Sequence, residues 1–142
     1  MTHDPFDNLS DWGPVLQQLH ELADSGKLAE CQAGLIRILR YKGNWRLREE
    51  VLKRIGEISN PSNPLLDQVL AIVGDDNIYY EARILAGDTL IQLLKNRKGS
   101  LDMDLPVKIR QRVEKLKNMP QPPFFESALN RLHSQIASPE MV

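Results

Sequence analysis

Apolar residues recur along this chain at helical spacing, in seven stretches separated by Gly, Pro and Asn. The first, Pro14 to Asp24, puts Val15, Leu16, Leu19, Leu22 and Ala23 on one face, with Pro14 suited to a first helical position. Ser25-Gly26 breaks it, and a second stretch follows from Leu28 to Tyr41 with the stripe Leu28, Cys31, Leu35, Ile38 and Leu39. Asn44 is a good N-cap for a third helix to Ser59, striped by Leu47, Val51, Ile55 and Ile58. Asn60-Pro61-Ser62-Asn63-Pro64 stops that helix and starts a fourth, Pro64 to Val73. After the turn Gly74-Asp75-Asp76-Asn77, the fifth runs from Ile78 to Asn96. It is apolar on more than one side, which predicts a central helix covered on both flanks. Arg97 to Asp104 is polar, holds Gly99, and reads as a long mobile loop. The sixth helix, Leu105 to Asn118, turns Ile109, Val113 and Leu116 inward, and Pro120, Pro122 and Pro123 break it. The seventh, Pro123 to Ala137, carries Phe125, Leu129, Leu132 and Ile136. No stretch alternates polar and apolar residues as a half-buried strand must, so the chain reads as all-α.

The fifth and third helices align at an offset of 35 residues. Leu47 falls on Ala82, Arg48 on Arg83, Val51 on Ala86, Ile55 on Leu90 and Ile58 on Leu93. Each segment follows a loop headed by Asn (Asn44, Asn77), with an aromatic soon after (Trp45, Tyr79). The seventh helix fits more loosely, with Ala128 on Ala86, Leu132 on Leu90 and Phe124 in the first position.

The run Asn44-Trp45-Arg46-Leu47-Arg48-Glu49-Glu50-Val51, then Ile55-Gly56-Glu57-Ile58 and Asn60-Pro61, resembles the HEAT-like repeat of the phycobilisome-lyase type. The second copy keeps Ala82-Arg83 and Ala86 but lacks the closing Gly. The resemblance implies a short α-α superhelix: three helical hairpins (second with third, fourth with fifth, sixth with seventh) behind an N-terminal capping helix. A hairpin of this kind has an apolar face it cannot bury alone, and stacking buries it. One domain would span 1–142, with flexible ends at 1–13 and 138–142. Arg48 and Arg83 would brace the next repeat, pairing with a carbonyl or with Asp67 or Asp88. The concave side would be built by the third, fifth and seventh helices. Bilin handling, as a lyase subunit or carrier, is the family-suggested alternative activity, with a cysteine thioether as its link.

Composition narrows the function without naming it. The 142 residues carry 18 basic and 19 acidic side chains and one cysteine, so an intramolecular disulfide is impossible and a generally cationic nucleic-acid binder is disfavoured. No apolar run approaches a membrane span, and the acidic start MTHDPFDNLSDW lacks a signal-peptide core, so a cytoplasmic protein is expected. His3, His20 and His133 lie on three different segments, and no Cys or His falls at zinc spacing; neither a metal nor a cofactor is expected. Cys31 reads as a buried thiol, and His20 as a solvent-facing residue. Glu49 and Glu50 point about 100° apart on a helix and do not converge as a catalytic pair. No phosphate loop or nucleophile elbow is present, so no enzyme is expected.

Charge does have a pattern. Residues 35–59 hold seven basic and three acidic residues and 95–118 hold eight and three, whereas 1–34 and 60–94 are acidic. The alternation fits adjacent layers attracting one another. It also fits a basic ridge formed by Arg37, Arg40, Lys42, Arg46 and Lys53, or by Lys95, Arg97, Lys98, Lys108, Arg110, Arg112 and Lys115, facing an acidic protein or a nucleic acid. The favoured reading is a non-enzymatic protein-interaction module, with homo-oligomers through the stack ends left open. Its candidate surface is Trp45, Arg46, Arg54 and Tyr80, or the basic face of Lys108, Arg110 and Arg112.

Overall fold

The computed structural model describes residues 4–6, 8–97 and 104–136. Among these there are seven α-helices, a single 3-10 turn and no strand. The helices are α1 (Trp12–Asp24), α2 (Gln32–Arg40), α3 (Trp45–Ile55), α4 (Asn63–Val73), α5 (Tyr80–Asn96), α6 (Asp104–Lys117) and α7 (Pro123–Ile136). The all-α class and every expected element are present. Residues 98–103 of the expected mobile loop, and the two chain ends 1–3 and 137–142, lie outside the described residues.

Local chemistry sets the helix starts. The Asn44 side chain accepts from the Leu47 N–H at 3.3 Å, and Ser62 accepts from the Leu65 N–H at 3.3 Å. Each satisfies one of the orphan donors of a first turn. Two expected boundaries shift by four residues, and the others by two at most. Leu28–Cys31 is a 3-10 turn rather than the first turn of α2, and α3 ends at Ile55 instead of reaching Ser59. At the second boundary Gly56 closes the helix, and the Ile58 N–H bonds back to the Ile55 carbonyl at 3.0 Å. Ile58 nevertheless remains in the core.

Consecutive helices pack as the pairs α2–α3, α4–α5 and α6–α7, and alternate helices form two rows, α1–α3–α5–α7 and α2–α4 with α6 beyond it. Side-chain bonds give the register within each row. In the odd row, Trp45 at the start of α3 meets Tyr79 at the start of α5, buried Thr89 Oγ1 donates to the Leu52 carbonyl at 2.9 Å, and Asn96 Nδ2 donates to the Gly56 carbonyl at 2.6 Å. Start faces start, middle faces middle and end faces end, so α3 and α5 run parallel. Arg131 to Asp88, at 3.2 Å, repeats the relation between α7 and α5. In the even row, buried Gln32 ties the start of α2 to that of α4: its amide nitrogen donates to the Ala29 and Asn60 carbonyls, and its oxygen accepts from the Ser62 N–H at 2.7 Å. Lys108 to Asp67, at 3.1 Å, links α6 to α4.

One apolar cluster runs from Phe6 to Ile136. All eight aligned positions of α3 and α5, Leu47, Val51, Ile55 and Ile58 with Ala82, Ala86, Leu90 and Leu93, are buried. Packed against α3, α4 and α7, α5 is the covered central helix its composition predicts. The segment before α1 supplies two core residues that the helical stripes leave out, Phe6 and Leu9. Gly34 makes room for this segment, since a Cβ there would lie 2.7 Å from Asp4 Oδ1 and 2.8 Å from Phe6. In α7 the alignment slips at its first position. Phe124 is 52% exposed, and Phe125 is the residue buried. With α7 offset from α5 by 42 residues, Phe125 takes the place of Arg83.

Candidate functional site

The starts of α3, α5 and α7 lie side by side and carry the aromatic residues. Trp45 and Tyr79 meet edge to face at 5.3 Å, and Tyr80 meets Phe124 at 5.7 Å and Phe125 at 5.0 Å. Trp45 and Tyr80 are half-buried, while Tyr79 and Phe124 stand out into solvent. Together they form an aromatic edge across three helices. The Tyr79 hydroxyl donates to Glu49. Partial burial raises its pKa above the ordinary tyrosine value, and the bond and charge of Glu49 and the charge of Glu81 add to the effect. Tyr80 donates to Gln121, whose amide nitrogen in turn donates to the Leu116 carbonyl at the end of α6.

Beneath this edge lie two buried arginines, one from each aligned helix. Arg83 is 3% exposed; its Nε donates to the Val73 carbonyl at 3.0 Å, and its guanidinium sits 4.3 Å from the Phe125 ring and 5.1 Å from Tyr80. Asp76 is 3.7 Å away, across the α4–α5 turn. Arg48 is 5% exposed and lies 4.3 Å from the Trp45 ring, yet its Nε has no hydrogen-bond partner. Burial lowers its pKa from the usual arginine value, and Asp75 opposes the shift. The expected carbonyl partner is present for Arg83, but Asp67 and Asp88 are not partners of either arginine. Asp67 is held by Lys108 and Asp88 by Arg131, whereas Arg83 takes a carbonyl and a turn carboxylate.

The candidate surface residues separate into distinct places. Trp45 and Arg46 lie at the start of α3 with Tyr80 beside them on α5, and Arg54 is half-buried at the far end of α3. Lys108, Arg110 and Arg112 are exposed on α6. Arg112 lies over the α4–α5 turn, where a Cβ on Gly74 would sit 2.8 Å from its Nη1. The expected basic ridges are interrupted by internal partners: Arg37 is bound to Asp4, Arg40 to Gln68, Lys53 to Glu50, Arg97 to the Pro61 carbonyl and Asn63, and Lys108 to Asp67. Lys98 lies outside the described residues.

Cys31 is buried, and burial, with Glu30 and Asp4 nearby, raises its thiol pKa. His20 is half-exposed, 3.8 Å from Glu50. Among the described residues no group of three or more His, Cys, Asp or Glu side chains is placed to hold a metal, and no helix is long and apolar enough to cross a membrane. Sequence reasoning missed the polar braces Gln32, Thr89 and Asn96, because a lone polar residue in a helix carries no signal of the carbonyl it will meet. No family model, curated protein or solved structure matches the chain.

Proposed function

We propose that this chain is a non-enzymatic protein-interaction module built from HEAT-like helical hairpins. The observation that carries this reading is the aromatic edge formed by Trp45, Tyr79, Tyr80 and Phe124 at the starts of three parallel helices. Half-exposed aromatics provide large contact areas at low side-chain entropy, and Trp and Tyr are over-represented among the residues that dominate binding energy. The repeat reading is supported by the matching burial of positions 35 residues apart and by the paired arginines. The surrounding polar residues, Arg46, Glu49 and Glu81, supply the rim that such contacts use.

Capture from native lysate by immobilised protein tests the reading. Phe124→Ala, with Trp45→Ala as a second variant, should lose the captured partner while the helical circular dichroism stays intact. The triple charge reversal Lys108→Glu, Arg110→Glu, Arg112→Glu should keep it. The opposite result would move the working surface to α6. A visible absorbance band that develops when the purified chain is mixed with bilin, and saturates, would replace the interaction reading with pigment handling.

A further inference from the structure

The unpartnered Arg48 lies in the wall of a pocket of about 200 Å³ between the end of α2, the middle of α4 and the α4–α5 turn. Arg40, Lys42, Gln68 and Asp75 line it on the polar side, and Leu39, Ala71, Ile72 and Ile78 on the apolar side. A guanidinium offers five N–H donors in a planar fork, and leaving them unmatched away from water is costly. At the aligned position Arg83 meets part of this requirement within the chain: its Nε donates to the Val73 carbonyl, and Asp76 lies 3.7 Å from its Nη2, which has no hydrogen-bond partner. Arg48 makes no such bond. The carbonyl aligned with that of Val73 belongs to Ile38, and it already accepts from the Tyr41 N–H at 3.0 Å. The turn residues aligned with Asp75 and Asp76 are Arg40 and Tyr41, so the first hairpin replaces two carboxylates with a cation and a phenol.

We propose that this pocket binds a small organic monocarboxylate, its carboxylate on Arg48 and Lys42 and its carbon body against Leu39, Ala71, Ile72 and Ile78. Three cations line the pocket against one carboxylate, so the site favours an anion. Asp75 acts on Arg48 by its charge but forms no ion pair with it, and its Oδ1 accepts from the Asn77 N–H at 2.9 Å. Its negative charge on the wall favours a monoanion over a phosphate dianion. The planar fork of Arg48 matches a carboxylate edge to edge. Gln68, whose oxygen is taken by Arg40 Nε at 2.8 Å, keeps its amide nitrogen as a further donor. The size is adequate, since a cavity of ~150 Å³ accepts a benzene ring. This inference rests on Arg48 and its pocket and not on the docking of a partner at the aromatic edge, although Trp45 of that edge stacks on Arg48.

Titration of the full chain with sodium benzoate, benzamide and inorganic phosphate at constant ionic strength tests it, read by nitrogen–proton NMR at the Arg48 Nε–H and the Ile72 and Ile78 amides. Benzoate should give saturable shifts at all three positions, and benzamide and phosphate should not saturate. Arg48→Met should weaken benzoate binding about tenfold or more, since a charge-assisted pair is lost. If that variant does not fold, Ala71→Trp, which fills the pocket from a solvent-exposed position, should abolish the shifts with Arg48 intact. Shifts that grow linearly with benzoate, or that persist in Ala71→Trp, overturn the site. Tighter binding of phosphate overturns the carboxylate assignment. Tighter binding of an acetylated dipeptide with a free C-terminal leucine assigns the pocket to a chain end and overturns the free-acid reading.

Discussion

Arg48 and Arg83 occupy equivalent places in the α2–α3 and α4–α5 hairpins, and the two hairpins treat them differently. Both arginines are buried, and both stack on an aromatic ring. The Arg83 Nε is bonded within its own hairpin and the guanidinium is covered by Phe125 of the next one, although its Nη2 has no hydrogen-bond partner. Arg48 lines a pocket, and its buried Nε makes no hydrogen bond at all. The apolar stripes of the two hairpins are interchangeable in burial, so the core does not cause the difference. The turns do: α4 ends with a free carbonyl followed by two aspartates, whereas α2 ends one residue before a backbone bond that takes the equivalent carbonyl. A helix stripe tolerates many apolar residues, but a buried charge is satisfied or left open by one or two atoms.

The largest effects should come where the hairpins are alike. Ile55→Ala and Leu90→Ala remove fully buried aliphatic groups at aligned positions and should each cost about 2–5 kcal/mol in urea unfolding. A small loss in one and a large loss in the other would break the equivalence of the two stripes. The arginines should then separate the hairpins. Arg83→Met loses a buried charged hydrogen bond and should cost about 1.5–3 kcal/mol. Arg48→Met removes an unmatched donor while keeping most of the packing volume, and should fall within about 0.5 kcal/mol of the parent or above it. Equal losses in the two variants would show that Arg48 has a partner in solution.

Thr89→Val tests the link between the hairpins. It deletes the buried bond to the Leu52 carbonyl and should cost about 1 kcal/mol. The smallest effect belongs to Tyr79 and Glu49, which join the same two helices at the surface. Folding raises the Tyr79 pKa above its unfolded value, so the contribution is complete below about pH 10 and disappears as pH rises through the folded value. In a spectrophotometric titration of the folded chain, Tyr79 should ionise last, and Tyr79→Phe should remove that late step. A normal titration of Tyr79 would show that it is neither buried nor bonded to Glu49 as described. Cys31 gives an independent measure of closure around the 3-10 turn Leu28–Cys31, since a buried thiol with a raised pKa should react with a disulfide reagent only on unfolding.

Much of this molecule was legible in the residues. Helical periodicity, Asn44 as a cap and the Pro and Gly breaks determined seven helices, and the 35-residue offset identified the eight aligned core positions and the matched arginines. These features are local or periodic, so they can be read along one dimension. The aromatic edge was half legible: Trp45, Tyr79 and Tyr80 were recognisable at helix starts, but Phe124 joined them only because α7 turned Phe125 inward. Tertiary structure decided the rest. It assigned Asp67 to Lys108 and Asp88 to Arg131, placed Gln32 and Asn96 against carbonyls in neighbouring loops, and broke the apparent basic ridges into internal pairs. It also left the Arg48 Nε without a hydrogen-bond partner. Charge and hydrogen bonding depend on distances of a few ångströms between residues far apart in the chain, and a linear pattern does not encode those distances. Apolar burial requires only that a residue face inward, which helical spacing already specifies.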